Sequence, residues 1–109
     1  MTPREFQKYL DRDGYACWHC GTTETLVPQH RAGRGMGGSK KQTPANIIVL
    51  CSLFNGLIES DAKAAGMALR YGWKVSRYEK PVDKPVYNIV ECQWYFLNED
   101  YTRQAVIEW

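Results

Sequence analysis

The sequence predicts an α+β fold: an N-terminal helix, a long-looped β-hairpin running into helix, and a small antiparallel β ribbon at the C-terminus. Three observations carry this. A helix-start signal, Thr2-Pro3-Arg4-Glu5, precedes Phe6 and Leu10 at helical spacing. Two short runs rich in β-branched residues, 25–31 and 46–51, flank a loop with four glycines, and helical apolar spacing follows over 52–71. From Trp73 onward the chain turns aromatic and β-branched, with Pro81 and Pro85 as breaks.

The first helix rests on three agreeing signals. Thr2 can accept a capping hydrogen bond, Pro3 stands at the first helical position where a missing N–H costs nothing, and Glu5 is placed to close a capping box. The helix should bury Phe6 and Leu10 on one face, run to Leu10 or Asp11, and stop at Asp13-Gly14. Tyr15 to Gly21, with Cys17 and Cys20 two residues apart, reads as a knuckle-type turn that Gly21 makes permissible. The hairpin follows, and its connection is longer than a structural turn needs, which points to function. Over 52–71, Leu53, Leu57, Ala64, Ala65, Ala68 and Leu69 recur on helical faces; Gly72 is the stop, and Gly56 and Gly66 mark where the helix can divide. The tail should form a ribbon that lays its Trp and Tyr side chains on the helices.

A chain of 109 residues, 44% hydrophobic, supports one domain over 1–109 with enough buried surface to fold without staples. No apolar run is long enough to span a bilayer, and the N-terminus lacks a signal peptide's apolar core. The expected location is therefore cytoplasmic, where four cysteines stay reduced or bind metal rather than form disulfides. A thioredoxin-like role for Cys17 and Cys20 lacks its surrounding βαβ pattern. Net charge is only +2, but residues 25–58 contain no Asp or Glu. Arg31, Arg34, Lys40 and Lys41 fall in or beside the glycine loop of that acid-free stretch, an electropositive patch suited to phosphates. The plain alternative is a solvated loop.

One constellation carries chemistry. An apolar run ends in His30, the basic loop follows, Asn46 precedes the second apolar run, and Asn55 stands in the helical segment after it. This order resembles the HNH (ββα-metal) endonucleases, in the variant whose third motif residue is Asn, and the resemblance covers about residues 15–62. The 73–109 segment lies outside it as a C-terminal aromatic extension. The resemblance implies a ββα-metal core and a hydrolysis of DNA phosphodiester bonds that depends on a divalent cation, Mg²⁺ or Mn²⁺, and leaves 5′-phosphate ends. His30 would be the general base; an unperturbed histidine pKa of roughly 6.5 leaves a useful neutral fraction at cellular pH. Asn46 would hold the base by hydrogen-bonding backbone across the loop, although an Asn before a strand is also an ordinary turn residue. Asn55 would give the cation an amide oxygen, or it is the cap of the helix beginning near it.

Two departures from the family matter. The metal-binding position before the base usually carries Asp, His or Glu; here it is Gln29, which brings an oxygen but no charge. Glu59, four residues after Asn55 and so on the same helical face, would compensate as a further ligand, or it is a solvated surface acid. On this reading Gln29→Asp should lower the metal concentration needed for cleavage. The second departure concerns zinc. Cys17, Cys20 and Cys51 stand where the family often carries zinc cysteines, but Phe54 occupies the fourth position. Either stable zinc is absent and Phe54 is core, which the sequence favours, or His19, Cys92 or a water completes the tetrahedron.

By similarity, compact free-standing HNH proteins are encoded by bacterial viruses and accompany the DNA-packaging terminase. DNA, contacted through its backbone, is then the expected partner, with a terminase as a further one and no membrane. Two rivals stay open: a nucleic-acid-binding module of the same fold that has lost cleavage, and a subunit whose Trp-rich tail docks on a larger machine.

Overall fold

The computed structural model describes residues 1–32 and 43–107. It is a mixed α+β structure in which a helix, a two-stranded hairpin, two helices and a three-stranded antiparallel sheet follow in order. Helix α1 spans Pro3–Asp13, capped by Thr2, whose hydroxyl accepts from Glu5 N at 3.1 Å, and closed by Gly14 in the left-handed region. It runs past Leu10 and Asp11 because its last turn is held from outside. Arg12 and Asp13 form an ion pair at 2.6 Å with side chains 2% and 0% exposed. Arg12 also donates to the Pro44 and Ile47 carbonyls, and Asp13 accepts from Val49 N, so this pair fastens the helix end to the hairpin.

Strands β1 (Leu26–His30) and β2 (Ile47–Cys51) pair antiparallel, Leu26 opposite Cys51 and His30 opposite Ile47. Every residue of β2 is buried, and the strand touches both α1 and the next helix. That helix, α2, spans Ser52–Ser60, and α3 spans Ala62–Tyr71. The division falls at Asp61, at neither Gly56 nor Gly66. Asp61 adopts extended backbone and its carboxylate accepts from Ala64 N at 2.9 Å, so one residue ends α2 and caps α3. Gly72 ends α3 at φ +78°, and a Cβ there would lie 2.1 Å from the Pro85 carbonyl oxygen. Only glycine fits that crossing.

The ribbon has three strands, β3 (Val86–Asn88), β4 (Gln93–Leu97) and β5 (Arg103–Ala105), in that spatial order. Trp18 and Trp73 are fully buried and join it to the rest. Trp18 meets Tyr95 edge to face, while Trp73 packs on Phe54 and Tyr71 and donates its indole N–H to the Tyr87 carbonyl at 2.8 Å. Burying Trp73 also lays the segment after α3 beside β1. There Val75 N donates to Arg31 O at 2.9 Å, and Ala32 and Val75 form a parallel bridge. Among the described residues, no helix is long and apolar enough to cross a membrane.

Candidate functional site

The hairpin, α2 and the segment after α3 enclose a cleft of about 540 Å³ lined by Pro28, Gln29, His30, Arg31, Asn55, Glu59 and Lys74. Each element brings its residue for a local reason. His30 is the last residue of β1 and is half-buried. Asn55 and Glu59 lie one turn apart on α2, the amide half-buried and the carboxylate exposed. The Cys51 sulfur caps α2 by accepting from Phe54 N, so Asn55 stands inside the helix and is not its cap.

Asn46 is wholly buried, and its side chain spans the loop: Oδ1 accepts from Ala32 N at 2.8 Å while Nδ2 donates to Ala32 O at 3.2 Å. The backbone just past His30 is thereby tied to the start of β2. Gln29, 5% exposed, uses both ends of its amide on the protein: Nε2 donates to His30 O and Trp73 O, and Oε1 accepts from Asn55 Nδ2 at 2.6 Å.

Arg31, expected from its place beside the basic loop to contact phosphate, does not: its side chain is fully buried. Nε donates to Gly72 O, Nη1 to Ala45 O and Pro81 O, and Nη2 to Lys84 O. These carbonyls sit where α3 and two short 3-10 turns, Pro44–Asn46 and Pro81–Asp83, approach one another. Carbonyls at helical ends lack intrahelical donors, and a guanidinium fork supplies several from one charge. Burial first, then the charge of Arg12, lowers its pKa to about 9, which leaves it charged at neutral pH. Arg31 is a structural cross-brace. Arg34, Lys40 and Lys41 lie outside the described residues.

Lys74 is the cleft residue that sequence reasoning missed. It has no motif spacing to His30, and only the bridge between Ala32 and Val75 places it there. Lys74 places a positive charge in the cleft, where it can meet an entering phosphate. The donor set of Asn55 and Glu59 consists of hard oxygens of the kind Mg²⁺ and Mn²⁺ accept.

A second cluster lies apart. The ligand atoms of Cys17, Cys20 and Cys51 fall within 4.8 Å of one another, and the Cys20 and Cys51 sulfurs are 3.9 Å apart. Tetrahedral zinc with bonds of about 2.3 Å needs sulfurs about 3.8 Å apart, which is the spacing of the Cys20–Cys51 pair. Backbone N–H groups of His19 and Phe54 donate to the Cys17 and Cys51 sulfurs. Neither proposed protein ligand for the fourth place belongs to the cluster. His19 is stacked on Phe54 at 3.8 Å, with its pKa lowered by burial, while the exposed Cys92 bonds to Ile89 O. Burial pushes the Cys17 thiol up to about 11. With three sulfurs and no protein fourth ligand among the described residues, elemental analysis after purification without added metal should find well below one zinc per chain. One full equivalent that disappears in Cys51→Ser would show instead that water closes the site.

Comparison of the chain with protein-family models, curated proteins and solved structures gives no match.

Proposed function

We propose that this protein is an HNH-type endonuclease that hydrolyses DNA phosphodiester bonds with a divalent cation. The observation that supports this reading is the cleft itself: a strand-end histidine, a helical amide and a carboxylate one turn further along α2 line one open surface together with Lys74. In this reading His30 accepts the proton of the attacking water, and Asn46 keeps the backbone beside it in place. Asn55 Oδ1 and Glu59 hold Mg²⁺ or Mn²⁺, which when bound stabilises charge on the departing 3′ oxygen. Lys74 neutralises the phosphate, and Arg34, Lys40 and Lys41 hold the DNA backbone without reading bases.

Plasmid cleavage by the purified protein in Mg²⁺, Mn²⁺ and EDTA tests the reading. Nicking should require the cation and stop in EDTA. In Glu59→Gln the metal concentration for half-maximal cleavage should rise by roughly 10-fold or more, because outer-shell changes alone cost metal sites 10–100-fold. An unchanged metal requirement would remove Glu59 from the ligand set and leave the remaining assignment standing.

One observation favours a second reading. Glu59 is the only carboxylate lining the cleft among the described residues, a sparse charge for a cation site. A protein of this fold that binds nucleic acid or docks on a bacteriophage terminase without cleaving would retain DNA or terminase binding and show no divalent-dependent nicking.

A further inference from the structure

The geometry points to Gln29 as a positioning residue that orients Asn55, and not as a cation ligand. Which way round each amide lies is dictated by its partners. Gln29 Nε2 faces His30 O at 3.1 Å and Trp73 O at 3.4 Å. Both partners are backbone carbonyls, which only accept, so the end of the amide between them has to be the donor end. A flipped Gln29 would put three oxygens together. The orientation of Gln29 is therefore set by the backbone, and Oε1 is the end presented to α2.

That in turn decides Asn55. The contact to Gln29 Oε1 is 2.6 Å, a hydrogen-bond distance, so the atom of Asn55 that makes it must carry hydrogen and is Nδ2. Asn55 Oδ1 is left outside this bond and accepts no hydrogen bond among the described residues, on a half-buried side chain that lines the cleft. Two carbonyls thus determine, through one glutamine, that an oxygen and not an NH₂ is offered to the site. The positioning matters because an asparagine free to flip would also present its donor end, and a donor repels a cation.

The neutral residues at positions 29 and 55 are then one fact and not two. A carboxylate at 55 would set acceptor against acceptor, with Gln29 unable to turn. A carboxylate at 29 would face His30 O and Trp73 O at the distances where Nε2 now donates. Adding an acid at 29 should loosen the site, the reverse of the effect expected if Gln29 were a ligand lacking charge.

The inference rests on the proposed function only for its metal readout, so two measurements are combined on the full chain. In ¹⁵N-correlated NMR without metal, the Asn55 side-chain amide should show one proton shifted and slow to exchange, and Gln29→Met should abolish that signature while the backbone spectrum persists. In Mn²⁺ titrations followed by electron paramagnetic resonance, Gln29→Met and Gln29→Glu should each bind Mn²⁺ roughly 10–100-fold more weakly, as loss of an orienting partner does at metal sites. Tighter Mn²⁺ binding by Gln29→Glu would make Gln29 a ligand and overturn the proposal. Unchanged Asn55 amide signals in Gln29→Met would overturn it as well. Wild-type protein that binds Mn²⁺ no better than Asn55→Ala would overturn the cation site and its metal-positioning role, while the NMR result would still decide whether Gln29 orients the amide.

Discussion

Replacing His30 with Ala is expected to lower the rate of DNA cleavage by roughly 10²–10⁴-fold, the contribution of a positioned general base, with DNA and metal binding nearly unchanged. The separation of rate from affinity is the informative part. His30 stands at the end of β1 opposite Ile47, and the strand is held by its ladder while Asn46 ties down the backbone just past it. Removing the ring should therefore leave the hairpin folded. Single-turnover cleavage at saturating protein, alongside DNA binding under the same salt, measures both quantities. A His30→Ala protein that cleaves at the original rate would sink the HNH assignment. A parallel fall in DNA affinity would show that His30 contacts substrate in the ground state.

Arg31→Met should be strongly destabilising. The substitution keeps a long apolar stem and removes the donors to Gly72 O, Ala45 O and Lys84 O, while Pro81 O loses one donor and keeps Lys84 N. Each buried carbonyl left without a donor costs roughly 1–3 kcal/mol, and a domain of this kind has only about 5–15 kcal/mol of stability to lose. Urea or thermal unfolding should show a protein near the limit of folding. Arg31→Lys should recover part of the loss, because an ammonium keeps the charge but cannot reach four carbonyls in a planar fork. Were Arg31 a phosphate contact, Arg31→Met would keep wild-type stability and lower the salt slope of DNA binding by about one unit. The two outcomes do not overlap.

Local chemistry made much of the fold legible. Thr2, Pro3 and Glu5 announce α1 because capping and proline's fixed φ act within a single turn. The β-branched runs announce the hairpin, and the one-turn relation of Asn55 to Glu59 follows from helix pitch as soon as a helix is assigned. Helix ends were less legible. The last turn of α1 depends on Arg12 and Asp13 meeting the hairpin, and the break between α2 and α3 falls at no glycine but at Asp61, which makes it by capping.

The α+β class, the strand of the hairpin that ends in His30, and the helical face shared by Asn55 and Glu59 can all be read from the amino-acid order. All of these arise from interactions between residues close in the chain. Tertiary structure alone decided that Arg31, one of several cations around a glycine-rich loop, turns inward to four carbonyls from distant segments. It also brought Lys74 to the cleft through the bridge at Val75, and gave Gln29 two carbonyl acceptors that fix its amide. The physical reason is common to these three: whether a polar side chain is a surface contact, a brace or an orienting partner depends on which unsatisfied backbone groups the folded chain places around it.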